Sequence, residues 1–126
     1  MYTIKIGDKT FNFNFGIGFL RDIDAVIQTE IPNVKGVKKS IGFRYYFSSL
    51  VDGDVQAFET ILYHANVNQT PKITFKDLDS WIDNPETDIE KEMKDVQDFL
   101  LSSNACKKQT ETMIKEIAEA EAKQKN

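Results

Sequence analysis

Strict alternation of apolar and polar residues at the amino terminus constrains this chain more than any other feature. Residues 2–6 read Tyr-Thr-Ile-Lys-Ile, residues 7–9 read Gly-Asp-Lys, and residues 11–15 read Phe-Asn-Phe-Asn-Phe. Two period-two runs on either side of a Gly-Asp turn predict a β-hairpin. A two-stranded hairpin is only marginally stable in water, so its apolar face must pack against another part of the chain.

Helical spacing of apolar residues predicts what covers that face. A first helical stripe runs from Ile17 to Ile27, and Pro32 closes this region. A second helix is predicted from Val37 to Val51, where Asp52-Gly53-Asp54 ends it. Asp54 is then a plausible N-cap for a third helix, which carries apolar residues to Ala65.

Two short segments leave alternatives open in the second half of the chain. Thr74 either caps a short helix with Asp77 completing a capping box, or residues 73–75 form a brief extended piece. Asn84-Pro85 ends that segment. Either Thr87 or Asp88 starts a further helix, whose apolar face runs to Leu100.

The composition changes beyond Asn104 to Lys, Glu, Gln and Ala, with few sizeable apolar residues. These residues favour helix, but so thin an apolar stripe cannot hold a helix firmly on a core. The sequence therefore predicts an α+β fold, with an N-terminal β-hairpin packed on a mainly helical domain of four or five helices. Residues 1–105 form the folded domain, and residues 106–126 form a mobile, partly helical arm.

Charge and cysteine content narrow the function classes. A net charge of −4 and a pI near 5.0 disfavour nucleic-acid binding. The tight basic cluster of Lys35, Lys38 and Lys39 is interpreted as a solvated helix start, and the acidic run in residues 77–92 as a solvated face. The single cysteine, Cys106, suits a reducing compartment, and no apolar run has the length of a membrane span. We expect a cytoplasmic protein without a membrane partner.

The candidate chemical motifs are incomplete. Gly16-Ile-Gly18 lacks the third glycine of a dinucleotide fingerprint, because Arg21 stands there. Asp52-Gly-Asp54 lacks the later ligands of a calcium loop. His64, the only histidine, is interpreted as a favourable charge or partial cap at a helix C-terminus, and Cys106 as an incidental residue. The sequence therefore predicts no catalytic, cofactor-binding or metal-binding residues, no cofactor and no enzymatic activity.

Residues 43–47, Phe-Arg-Tyr-Tyr-Phe, place four aromatic side chains within five positions. A single helix cannot bury all four on one side, so either some are exposed in an interface or the helix is buried on both faces. Tyrosine and arginine are favoured at protein interfaces. The predicted partner-binding residues are Phe43, Arg44, Tyr45, Tyr46 and Phe47, together with Met113, Ile114 and Ile117 of the arm.

The order of motifs over residues 1 to about 105 resembles that of one protein family. The motifs are the hairpin running into Phe15-Gly-Ile-Gly-Phe-Leu20, Gly36-Val37, Ile41-Gly42, Leu50-Val-Asp-Gly-Asp-Val55, the acidic turn Asp83–Asp88 and Val96-x-x-Phe99-Leu100. This pattern is similar to that of the tail assembly chaperones of long-tailed phages and prophages of Gram-positive bacteria.

The resemblance implies a non-catalytic protein that coats the tape-measure protein until tail-tube subunits polymerise and displace it. It also implies contact with the tail-tube protein, self-association, a longer form made by translational frameshifting, and absence from the finished virion. Two other functions remain open at this stage. One is a structural virion component, such as a head–tail connector or tail-terminator subunit, and the other is an inhibitor of a host enzyme.

Overall fold

The computed structural model describes residues 1–124, which form two two-stranded antiparallel sheets and six helices. The strands are β1 (Tyr2–Ile6), β2 (Lys9–Phe13), β3 (Gln28–Glu30) and β4 (Lys38–Ser40). The helices are α1 (Ile17–Asp24), α2 (Gly42–Val51), α3 (Val55–Asn66), α4 (Phe75–Asp83), α5 (Ile89–Ser102) and α6 (Lys107–Gln124). This architecture confirms the predicted α+β class, with an N-terminal hairpin on a mainly helical domain.

The predicted N-terminal hairpin is confirmed, although β2 begins at Lys9 and ends at Phe13 rather than at Phe15. Tyr2 pairs with Phe13 and Ile6 pairs with Lys9, so a two-residue turn joins β1 to β2. Gly7, the first turn residue, has a φ of 63°, which a type II′ hairpin turn requires and which glycine adopts without strain. The alternating apolar side chains all point to one buried face, as period-two patterning demands.

Asn66 at the end of α3 attaches this hairpin to the helices. Its side-chain Nδ2 donates to the carbonyl oxygens of Asn12, at 3.0 Å, and Pro71, at 3.1 Å. Its Oδ1 accepts from the backbone N–H of Ile73 at 2.7 Å. The residue is almost completely buried, and each of its amide groups is hydrogen-bonded, as a buried polar side chain must be.

The crossing of α1 and α2 depends on a glycine. A Cβ atom on Gly42 would lie 1.8 Å from the carbonyl oxygen of Ile23, so no other residue allows this close approach. Next to it, the Asp24 carboxylate accepts a hydrogen bond from the Phe43 N–H at 2.9 Å. The start of α2 is therefore capped by a side chain from the end of α1, which satisfies one of its free N–H groups.

The predictions for residues 17–51 were partly wrong. Helix α1 ends at Asp24 rather than near residue 27, and Ile17 is 61% exposed although it belonged to the predicted stripe. Residues 37–41 do not join α2, because Lys38–Ser40 form β4 and pair with β3. These strands are three residues long, polar and exposed on both faces, so they lack the apolar alternation by which strands are recognised.

The predicted caps of the next helices are confirmed. Asp54 accepts from the N–H of Ala57 at 3.1 Å at the start of α3. Thr74 and Asp77 form a reciprocal capping box, which decides for a helix rather than an extended piece. Asp88, rather than Thr87, caps α5. Such caps depend on side chains two or three residues from the N–H groups that they satisfy, so sequence spacing suffices to find them.

Helix α6 makes the predicted C-terminal arm helical from Lys107 to Gln124, and the last two residues of that arm lie outside the described residues. Its first turns pack against the domain, because Thr110 and Met113 are buried. From Ala118 to Gln124 every residue is exposed. The predicted mobility of the arm and the domain boundary at residue 105 stay predictions.

Candidate protein-binding surface

The aromatic cluster on α2 divides between the core and the surface. Phe43 and Phe47 are both fully buried, and their rings stack with centroids 5.8 Å apart and 20° between their planes. Residues four positions apart share one face of a helix, which here is the face that packs on α1 and α3. Phe43 and Phe47 are therefore not accessible to a partner in this conformation, and the binding role predicted for them stays a prediction.

The opposite face of α2 presents the remaining members of the cluster. Tyr45 is 54% exposed, Arg44 is exposed and Tyr46 is half-buried. The Tyr45 ring meets the Tyr46 ring edge to face, with centroids 5.1 Å apart. Helix α2 is therefore not enclosed on both faces, and Tyr45 presents a large aromatic surface that a neighbouring ring holds in place.

Helix α6 lies beside this face, which brings the two predicted groups of partner-binding residues together. Arg44 Nη2 on α2 lies 3.3 Å from Glu116 Oε2 on α6. Both side chains are exposed, so this ion pair contributes at most about 1 kcal/mol to stability. The ion pair shows instead how the two helices are placed, because through it the exposed side of α2 continues onto α6.

The arm residues also divide between core and surface. Met113 is buried and not accessible to a partner in this conformation, whereas Ile114 is half-buried against the core and Ile117 is half-buried next to Glu116. The binding role predicted for these three residues stays a prediction. We name the combined exposed area the α2–α6 surface. It consists of Arg44, Tyr45, Tyr46, Glu116 and Ile117.

A second exposed apolar area, which the sequence reading missed, lies on the β3–β4 hairpin. Ile31, Val34 and Val37 are exposed in the loop that joins the two strands. Asn33 has a φ of 67° and Gly36 a φ of 78°, which are left-handed conformations typical of turns. The sequence Pro-Asn at 32–33 followed by Gly36 was the available signal, but no apolar alternation flanked it.

An acidic group of three carboxylates spans α3 and α4. Glu59 hydrogen-bonds to Asp79, and Asp83 lies close enough to interact with Glu59 electrostatically. Partial burial, followed by the hydrogen bond and the repulsion from these two aspartates, raises the pKa of Glu59 to about 7. Two members of the predicted acidic run, Asp79 and Asp83, thus interact with Glu59 of α3, and none of the three belongs to an ion pair of the described residues.

His64 and Cys106 are the residues whose side chains are most suited to catalysis, and both are placed unfavourably for reaction. Burial lowers the pKa of His64, against an opposing effect of Asp22, whose Oδ2 lies 3.8 Å from His64 Nδ1. The neutral form is therefore favoured. His64 lies in the last turn of α3 as predicted, and its role there as a charge stays a prediction. Cys106 is fully buried, its Sγ lies 3.5 Å from the Phe15 carbonyl oxygen, and burial raises its thiol pKa. A buried thiol of raised pKa is a poor nucleophile.

An open apolar groove lies between the first hairpin and α5. It has a volume of about 310 Å³ and is lined by Tyr2, Phe13, Phe15 and Phe99, among others. The Tyr2 hydroxyl donates to the Glu92 carboxylate. In residues 1–124 no group of three histidine, cysteine or acidic residues is arranged to hold a metal ion. Asn14, Ser102, Ser103 and Asn104 supply the polar part of the groove lining, which contains no histidine, cysteine or acidic residue.

A comparison with known protein families gives a match. A family model described as phage tail assembly chaperone protein matches residues 3–115, which is most of the chain. The match passes the predicted boundary at residue 105 and includes the packed turns of α6. No curated protein and no solved structure matches significantly. Within the described residues, no helix is both long and apolar enough to cross a membrane.

Proposed function

The chain belongs to the phage tail assembly chaperone family, and from that premise we propose that it coats the tape-measure protein and keeps it soluble. Family membership gives the chain a role in phage tail assembly and implies that this role is non-catalytic. Burial of Cys106 and the neutral state favoured for His64 support a protein that acts by binding rather than by chemistry.

The physical problem that such a protein would solve is aggregation. A tape-measure protein is a long helical chain, and it exposes apolar surface until the tail tube encloses it. Many small acidic proteins could cover that surface and keep the complex soluble. Because the tube subunits must later displace them, each contact has to be modest, and the combined grip has to come from many copies.

The α2–α6 surface supports this role, and the exposure of Tyr45 is the observation that carries it. The fold buries most of its large aromatic side chains, yet leaves more than half of Tyr45 in solvent beside Arg44. Tyrosine and arginine are the residue types that contribute most to binding at protein interfaces. Glu116, which pairs with Arg44, and the half-buried Ile117 that follows it extend the surface onto α6, a shape suited to a helical target.

Further parts of the proposal concern partners and place. Tail-tube subunits contact the coated tape measure and replace the chaperone, copies of the chaperone associate with one another, and neither nucleic acid nor membrane takes part. The protein acts in the cytoplasm of the host bacterium and is left out of the mature virion. A net charge of −4 supports binding to protein rather than nucleic acid.

Coexpression with the tape-measure protein tests the proposal directly. We expect the tape measure to become soluble and to copurify with several copies of this chain. Tyr45→Ala should reduce the copurified fraction, because it removes the exposed aromatic of the α2–α6 surface. Phe75→Ala is the matched control, since Phe75 is an aromatic residue on α4 with a similar exposed fraction.

Two results would overturn the proposal. An insoluble, unbound tape measure beside a well-folded chaperone would remove the coating role. Equal loss of binding in Tyr45→Ala and Phe75→Ala would remove the α2–α6 surface from it. Mass spectrometry of purified virions supplies a separate check. A stoichiometric amount of this protein in mature particles would instead indicate a head–tail connector or tail terminator.

A further inference from the structure

We infer that the β3–β4 hairpin of one copy docks on the acidic α3–α4 face of a second copy of this chain. The hairpin comprises residues 28–40, and the acidic face comprises Glu59, Asp79 and Asp83 with the neighbouring Val55. This inference deepens the self-association part of the proposed function. It makes no use of tape-measure binding, so the two can fail separately.

The hairpin has no place in the core of its own chain. Every residue from Gln28 to Ser40 is exposed. A backbone hydrogen bond of 2.9 Å, from the Ile41 N–H to the Ile27 carbonyl, closes its base. An isolated two-stranded hairpin is marginally stable in water, and this one also exposes three apolar loop residues. Both facts favour a contact with another molecule.

The charges of the hairpin indicate that the surface it contacts is acidic. Lys35, Lys38 and Lys39 outnumber the single acidic residue, Glu30, although the whole chain is acidic. Within residues 1–124, none of these three lysines forms an ion pair. A partner surface that combines apolar and acidic groups would therefore complement the hairpin in both respects.

The α3–α4 face has those properties. Helices α3 and α4 are in contact here, because the Phe58 and Trp81 rings lie 6.1 Å apart. Glu59 follows Phe58 on α3, and Asp79 and Asp83 lie two positions before and after Trp81 on α4. None of these three carboxylates belongs to an ion pair of the described residues. Val55 is exposed one helical turn before Glu59 on α3. Lysine side chains from a second molecule would relieve the carboxylate repulsion, while Val34 or Val37 could cover Val55.

The two surfaces differ, so the contact between copies runs head to tail. Each copy would offer a hairpin to one neighbour and an acidic face to the next. Repeated contacts of this kind close into a ring or continue as a helical filament. Such an array would give many weakly bound copies a shared grip on an elongated target.

Charge reversal on the full-length chain tests the contact, with sedimentation velocity over a concentration series as the measurement. The hairpin variant is Lys38→Glu with Lys39→Glu, and the face variant is Asp79→Lys with Asp83→Lys. Matched controls make the same changes in net charge elsewhere. They are Lys5→Glu with Lys9→Glu on the first hairpin, and Glu119→Lys with Glu121→Lys on α6, all at exposed positions.

We expect each test variant to raise the dissociation constant of self-association by about tenfold or more, because it places like charges in contact. A mixture of the two test variants should restore assembly, since glutamates then face lysines. Thermal unfolding confirms that each variant is folded. Assembly that survives both reversals, or that the controls weaken equally, overturns the inference, as does a wild-type chain that stays monomeric at its highest soluble concentration.

Tape-measure copurification with the same variants separates this inference from the proposed function. Loss of self-association with retained tape-measure binding upholds the hairpin contact and leaves the coating role intact. Retained self-association in every variant removes the hairpin contact, whatever happens to tape-measure binding.

Discussion

The two hairpins of this protein share a backbone arrangement and differ in nearly everything else. The β1–β2 hairpin buries one full face, on which Ile4, Phe11 and Phe13 are nearly inaccessible to solvent. The β3–β4 hairpin buries none of its residues from Gln28 to Ser40. The comparison shows that strand pairing alone does not make a hairpin part of a fold, because the burial of side chains supplies most of the stabilisation.

The two hairpins also differ in how they are attached to the helices. Asn66 and a backbone bond of 2.8 Å from the Asn14 N–H to the Ala65 carbonyl attach the first hairpin to α3. At the second hairpin, Gly42 and Asp24 instead secure the helix that follows it, and the strands themselves project from the body. The first hairpin is therefore expected to govern stability, and the second to govern contacts with other molecules.

The largest expected effect comes from the first hairpin. Phe13→Ala should lower the free energy of unfolding by about 3–5 kcal/mol, because it leaves a cavity where a fully buried ring stood. Urea denaturation monitored by circular dichroism measures the change. Val37→Ala, in the second hairpin, is the control and should shift stability by no more than about 0.5 kcal/mol. Similar losses in both variants would break the comparison.

A smaller loss is expected at the anchor. Asn66→Ala should cost about 2–4 kcal/mol, since it leaves the Ile73 N–H and two carbonyl groups without partners in a buried site. Asn68→Ala, the same substitution at an exposed position, serves as the control. An Asn66 variant as stable as the Asn68 variant would show that the apolar face alone holds the first hairpin.

The acidic face should give a still smaller, pH-dependent effect. The pKa of Glu59 is about 7 in the folded chain, above its usual 4.5, so the folded state favours the protonated form. The stability contributed by this group is complete below pH 4.5 and is lost as the pH rises through 7. Between these limits, Glu59→Gln should therefore lose less stability with rising pH than the wild type.

Solvent screening keeps the Glu59 effect small, because the group is only partly buried. Thermal unfolding from pH 4 to 8 measures it, with Glu119→Gln as a control on the exposed end of α6. Identical pH profiles for wild type and Glu59→Gln would mean that Asp79 and Asp83 do not crowd this carboxylate, which would also weaken the acidic face as a docking partner.

The smallest effect on stability is expected at the tip of the second hairpin. Val34→Ser combined with Val37→Ser should change the unfolding free energy by less than about 0.5 kcal/mol, because both side chains are already exposed. The same variant should weaken self-association in sedimentation experiments. A large loss of stability would instead show that the hairpin packs on its own chain, and the contrast between the hairpins would disappear.

Sequence reasoning succeeded where structure depends on nearby residues. The first hairpin follows from alternation around Gly7, and the helix starts at Asp54, Thr74 and Asp88 follow from side chains that reach backbone groups two or three positions on. The order of motifs likewise sufficed to indicate the family that the comparison confirmed. Each of these signals either lies within a few residues or consists of motifs that follow one another along the chain in a recognisable order.

Sequence reasoning failed where distant parts of the chain decide exposure. Residues 28–40 carry no apolar alternation, so the second hairpin was read partly as helix. The aromatic cluster on α2 could not be divided in advance, because which of its faces is covered depends on how α1 and α3 pack. For the same reason, the sequence assigns Met113 to a mobile arm, whereas its side chain lies in the core.

The amino-acid sequence by itself determined the α+β class, the first hairpin and the helix caps, because local spacing and short-range hydrogen bonds encode them. It also determined the family, which the order of motifs along the chain indicates. Only the tertiary structure decided which side chains remain in solvent: Tyr45 rather than Phe43 on α2, and the whole of the second hairpin. It also placed Arg44 beside Glu116, 72 positions along the chain. Exposure is a property of packing between distant segments, and no local pattern records it.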